Sequence, residues 1–240
     1  MPFMLIPDWT FILLVPAFIL ALWAQYKVKS TYERFSKVAN RAGMTGADVA
    51  ARILRDAGIE PARGQGGPGT VGIEPVAGNL SDHYDPRSHM LRLSEGVYNG
   101  RSVAALGIAA HEVGHAIQHA RAYSPLMLRN LIYPVSSIGS TLAFPLFFIG
   151  FFVHPGLGQT LMTGAIILFS VAVFFTVLTL PVELDASHRA LKCLSDGRYL
   201  ADDELKGARK VLTAAAMTYV ASAAMAIMQL LRMILIANRR

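Results

Sequence analysis

The chain has 240 residues, 53% hydrophobic and only 16% charged, with 22 basic against 16 acidic side chains and a formal net charge of +6. So apolar a composition excludes an ordinary soluble domain and points to an α-helical membrane protein. The single cysteine, Cys193, excludes an intrachain disulfide framework and reads as a packed small residue, and the basic residues lack the aromatic interleaving of a nucleic-acid surface.

Residues 6–24 form the first apolar stretch long enough to cross or nearly cross a bilayer, which takes about 20 residues. Asp8 stands near its start, and Lys27, Lys29, Arg34, Lys37 and Arg41 follow it. With no basic region in front, the stretch reads as a retained anchor, and the charge block behind it places the next part of the chain on the cytoplasmic side. Residues 1–26 are thus expected to be a transmembrane helix.

Residues 27–125 read as a small cytoplasmic α/β unit. Two short amphipathic helices are expected over 31–42 and 46–57, the second opened by Thr45 and stopped by Gly58. The glycine-rich run 63–70 has neither GxGxxG nor P-loop spacing, so it reads as a plain loop. Residues 71–76 and 89–93 read as short strands around the polar turn Asp82-His83-Tyr84-Asp85-Pro86, with His83 and His89 as turn residues. Such a pair is either a hairpin that supports the next helix or an edge on which an extended peptide can lie.

The segment 102–122 contains no proline, can be capped by Asn99 or Ser102, and is closed by Ser124-Pro125. Within it stands His111-Glu112-Val113-Gly114-His115, an HExxH motif. Helical residues at i and i+4 share a face with Cβ atoms about 5 to 6 Å apart, so both imidazoles can meet one Zn²⁺ at about 2.0 to 2.1 Å. Glu112, one step round the helix, overlooks that position as a general base.

A catalytic zinc normally takes three protein ligands. Glu183 is the strongest candidate for the third, because it follows directly on a long apolar run where a charge is costly unless paired. His119 is the rival, although three ligands on one straight helix spread along about 12 Å of axis. Asp185 is a candidate to orient a histidine ligand from behind.

Three more apolar stretches follow the motif: 131–153, 157–180 and 211–236. The first two are joined by His154-Pro155-Gly156 and form a hairpin, assigned to residues 126–180. Residues 181–210 carry Glu183 together with Arg189, Lys192, Arg198, Lys206, Arg209 and Lys210, which returns that segment to the cytoplasmic side. Residues 211–240 form a C-terminal membrane-embedded helix, whose small-residue face Ala214, Thr218, Ser222 and Ala226 suits close packing. If it spans fully, Arg239 and Arg240 emerge on the other side, against the usual charge bias.

Leu80-Ser81-Asp82-His83-Tyr84-Asp85-Pro86, the run Ala109-Ala110-His111-Glu112-Val113-Gly114-His115-Ala116-Ile117-Gln118, and Pro181-Val182-Glu183-Leu184-Asp185-Ala186-Ser187 after an apolar hairpin together resemble the YugP-like bacterial membrane zinc metallopeptidases. The resemblance covers nearly the whole chain. It implies a multi-pass inner-membrane metallopeptidase with a minimal zincin-like unit. More distantly the chain looks like the HtpX-type membrane gluzincins, whose third ligand is the glutamate of a Glu-x-x-Ala-Asp pattern. Glu183 and Ala186 match that pattern; Ser187 stands where the acid would be, and the nearest acid is Asp185.

The expected chemistry is hydrolysis of peptides or membrane proteins at the cytoplasmic surface. His111, His115 and Glu183 hold zinc, Glu112 acts as base, and an oxyanion donor is sought among His188, Arg189, Tyr199 and Tyr219. The alternative is a membrane scaffold with a structural zinc, closed by a fourth ligand from His119 or Asp185. A transporter fits less well, because the spans carry almost no charge.

Overall fold

The computed structural model describes residues 9–62 and 64–239. Asp8 and the first residues of the expected anchor, Arg63 of the glycine-rich loop, and Arg240 lie outside them.

The chain divides into two compact units. Met1–Gln25, Met127–Pro181 and Met217–Arg240 form an apolar helical unit; Tyr26–Leu126 and Val182–Ala216 form an α/β unit. Among the described residues, four helical segments are long and apolar enough to cross a membrane. The first is a 3₁₀ turn, Trp9–Leu13, that runs into α1, Leu14–Phe35; the others are α5, Ser124–Phe152, α6, Pro155–Asp196, and α7, Asp202–Ala237.

These helices are longer than their apolar stretches. No glycine or proline interrupts the residues between Ala24 and Phe35, so α1 continues to Phe35 and absorbs the start of the amphipathic helix expected over 31–42. The remainder of that segment is a turn held by Asn40, whose amide donates to the Met44 and Arg101 carbonyls. Helix α6 is unbroken through Pro181 and, at about 1.5 Å per residue, runs for about 60 Å, twice a hydrocarbon core. Pro181 does not end it, so Glu183 rides on the same helix as the preceding apolar stretch. Helix α7 likewise starts at Asp202, ahead of its apolar part.

In the apolar unit, Ala143 and Phe147 of α5, Met162 and Phe169 of α6, and Met233 and Ile236 of α7 form the core. Between α5 and α6 the expected hairpin turn shrinks to Val153 and His154.

In the α/β unit, α2 (Gly46–Asp56) is opened by Thr45, whose hydroxyl accepts from the Asp48 amide while Asp48 accepts from the Thr45 amide. Gly58, at φ +78°, turns the chain after it. Four strands follow: β1 (Glu60–Ala62), β2 (Thr70–Val76), β3 (His83–Asp85) and β4 (Met90–Ser94), in the order β1-β2-β4-β3. The two expected strands are present as β2 and β4, but they pair in parallel, Gly72 opposite Met90, and so are no hairpin. The polar stretch between them is itself the antiparallel edge strand β3, with Tyr84 opposite Leu91. Asp82 makes this possible: its carboxylate accepts from the Ser94 amide and hydroxyl and pins the stretch to β4.

After the short helix α3 (Glu95–Tyr98), α4 (Val103–Ala120) runs through the centre of the unit. Of the two expected caps Ser102 serves, its hydroxyl accepting from the Ala105 amide at 3.1 Å. Val103, Leu106, Ala109, Ala110, Val113 and Ile117 of α4 are buried with Val49, Ile53 and Leu54 of α2, Leu91 and Leu93 of β4, Leu194 of α6 and Leu212 of α7. Each such Leu, Ile or Val contributes about 1.5–3 kcal/mol, which fixes α4 as the rigid axis on which the motif is carried.

Candidate metal centre

The structure brings His111 and His115 of α4 together with Glu183 of α6. Their nearest ligand atoms all lie within 4.8 Å of one another. Glu183 Oε2 is 3.3 Å from His111 Nε2 and 3.5 Å from His115 Nε2. A tetrahedral ion with bonds of about 2.0–2.1 Å has ligand-to-ligand edges of about 3.3–3.4 Å; the two edges to Glu183 are close to this, so the donor set fits Zn²⁺ in chemistry and converges on one position. No fourth His, Cys, Asp or Glu joins the group among the described residues.

The other face of each imidazole is also held. Gln118, completely buried one turn beyond His115, donates from Nε2 to the Val182 carbonyl and to Asp185 Oδ2, both at 2.8 Å. Both partners accept only, so the amide orientation is determined and Oε1 faces His115 Nδ1 at 3.0 Å as an acceptor. His115 therefore carries a proton on Nδ1, which leaves Nε2, on the Glu183 side, as the ring atom that a metal would take. His111 Nδ1 lies 3.1 Å from Ser187 Oγ. The hydroxyl thus stands where the distant gluzincin pattern places its acid.

Glu112 and Glu183 are both buried. Burial opposes a charge on His115, but the nearby Glu183 carboxylate and the charge of Glu112 outweigh it and raise the imidazole pKa. The same negative field attracts a metal cation, which would bind the neutral ring in place of the proton.

Close approach of α4 and α6 depends on Gly114. A Cβ there would come within 2.6 Å of the Ala186 carbonyl oxygen, three residues beyond Glu183. The second free position of the motif is therefore a packing requirement.

The remaining candidates are placed as follows. His119 is turned to Tyr84, whose hydroxyl lies 2.9 Å from its Nδ1, and its ring stacks near that of His89; it is not in the ligand group. Asp185 reaches His115 only through Gln118 and also accepts from Arg189 Nε at 2.5 Å. Arg189 is thereby engaged, with its guanidinium over the Tyr123 ring, and His188 is exposed. The Tyr199 hydroxyl donates to Asp56, and Tyr219 belongs to the apolar unit. Gln118 and Ser187 were not singled out from sequence, although Gln118, three residues after a predicted ligand, was the available signal.

The profile of a family described as "putative neutral zinc metallopeptidase" matches residues 10–238. The chain belongs to this zinc metallopeptidase family. A relative from Bacillus subtilis (strain 168), described as "putative membrane protease YugP", is 46% identical over 225 residues, covering 93% of this chain and 94% of its own length. No solved structure matches. Family membership and the relative's description agree with a metal-capable His-His-Glu group and with the four helices among the described residues that are long and apolar enough to span a membrane.

Proposed function

We propose that the protein is a membrane-bound zinc metallopeptidase of gluzincin type that hydrolyses peptide bonds of membrane proteins or peptides at the cytoplasmic surface of the bacterial inner membrane. The observation that carries this reading is the convergence of one ligand atom each from His111, His115 and Glu183 within 4.8 Å of one another, with no fourth protein ligand among the described residues. A zinc ion bound there would polarise a substrate carbonyl and make a water more acidic.

The chain's own residues supply the rest. His111, His115 and Glu183 hold the ion, while Ser187 and Gln118 keep the imidazoles in register. Glu112 takes a proton from the attacking water and passes it to the leaving amine. The free edge of β3 offers an extended peptide a line of backbone partners, and β3 packs against α4 through Tyr84 and His119. The basic residues that follow 6–24, and those over 189–210, support the cytoplasmic placement.

The test uses the full chain in proteoliposomes with zinc and a peptide library. Wild type is expected to cleave, and Glu112→Gln to keep its zinc while losing activity by about 10²–10⁴-fold. Full activity in that variant would remove Glu112 from the mechanism, and zinc without any cleavage in wild type would favour a structural metal.

A further inference from the structure

We infer that the apolar unit holds a binding site for a membrane phospholipid between α1 and α7. A cavity of about 740 Å³ is lined by Leu14, Phe18 and Ala21 of α1, Phe169 of α6, and Ser222 and Gln229 of α7 among others. Helix α1 contributes no residue to the buried core that joins α5, α6 and α7, so this space is what α1 leaves along its inner side. An apolar cavity far smaller than this already takes up apolar guests, because its lining has no partner atoms otherwise. In a bilayer the guest at hand is an acyl chain.

Shape and polarity say which way it lies. The lining on α7 extends from Thr218 to Arg232, about 21 Å of helix, enough for the acyl chain of one leaflet of about 15 Å. One end is polar. Arg232, buried to 1% exposure, donates from Nε to Thr10 and stands over the Phe11 ring, and Arg239 stacks on Trp9 at 4.5 Å. One turn inward, Gln229 lines the cavity, and its buried Nε2 has no hydrogen-bond acceptor among the described residues. A glycerophospholipid matches each feature: hydrocarbon for the cavity, an ester carbonyl for Gln229, and a phosphate that suits the arginine-bearing end. The same phosphate accounts for arginines at the helix end that the positive-inside bias disfavours.

The test is made on the full chain, purified in detergent, exhaustively delipidated and titrated with phosphatidylglycerol in mixed micelles. Wild type is expected to retain phospholipid near one per chain through purification and to melt higher with added phospholipid. Ser222→Phe, which fills the cavity from an exposed position, should lower retention by about tenfold or more and abolish the shift in melting temperature. Gln229→Leu should weaken both while leaving the cavity open. Ile227→Phe, on an exposed part of the same helix outside the lining, should change neither, and far-ultraviolet circular dichroism checks that every variant is folded. Retention of phospholipid by Ser222→Phe at the wild-type level, or no phospholipid on wild type above a detergent-only control, would overturn the proposal. So would stabilisation by a fatty acid that phosphatidylglycerol does not match, or a wild-type dimer that Ser222→Phe dissociates without any change in lipid.

Discussion

Gln118 Nε2 donates to Asp185 Oδ2 at 2.8 Å, and through this bond an acid on α6 fixes the tautomer of a histidine on α4. A direct Asp185 to His115 contact would have done the same with one residue fewer. The interposed amide instead ties together three groups, because it also binds the Val182 carbonyl beside Glu183. Imidazole orientation and carboxylate position are therefore set by one buried side chain.

Gln118→Leu removes that control while nearly preserving volume. Zinc affinity is expected to fall by about 10–100-fold, the usual effect of losing a group that orients a ligand. Competition with a chromophoric chelator measures it. Gln118→Glu should be no rescue, because a carboxylate would face the Asp185 and Val182 oxygens that now accept hydrogen bonds.

Glu183→Ala and His119→Ala separate the two candidates for third ligand. Zinc content is expected to collapse in the first and stay at the wild-type level in the second, since His119 is turned to Tyr84. Metal analysis of the purified full-length variants decides, and the reverse result would move the site along α4.

Acid stability should depend on Asp85. Its hydrogen bond from Ser88, opposed by partial burial and aided by the Arg87 amide and Arg92, draws its pKa from the ordinary 3.8 to about 2. A carboxylate with a depressed folded-state pKa contributes stability in full above about pH 4 and loses it as the pH falls toward 2. Thermal melts of wild type and Asp85→Asn should differ at pH 6 and converge between pH 4 and 2. A constant gap over that range would assign the effect to packing.

The grouping of His111, His115 and Glu183 was legible in the sequence because it depends on local facts: i, i+4 spacing on a proline-free helix, and a charge set directly behind an apolar run. The spans were legible as stretches, but their helices were not legible as lengths. Nothing in the residues around Pro181 says that α6 survives a proline, because that depends on which neighbours take over the freed carbonyl. The strand β3 was hidden in Asp82-His83-Tyr84-Asp85-Pro86, whose polar composition signals a turn, since its strand character comes from Asp82 binding Ser94 twelve residues away. Gln118 was invisible as a positioning group for the same reason: both acceptors that orient it lie on α6, 64 and 67 residues on.

Gly114→Ala tests whether the helix contact sets the metal geometry. In an exposed helix the change would add about 1 kcal/mol of stability, because glycine is the poorer helix former. Here the new methyl group would lie 2.6 Å from the Ala186 oxygen and 3.2 Å from its carbonyl carbon and Cα, all backbone atoms that cannot rotate aside. Overpacking of this kind costs about 1–3 kcal/mol, so the balance falls on the destabilising side. The strain can be relieved only by moving α6 off α4, which carries Glu183 away from His111 and His115. A melting temperature lower by about 2–6 °C is expected, together with weaker zinc binding. Gly156→Ala, where a Cβ meets nothing within 4 Å, should leave both unchanged or slightly raise the melting temperature. Equal behaviour of the two variants would show that α4 and α6 have room to spare, and that the spacing of the His-His-Glu group is held by something other than their contact.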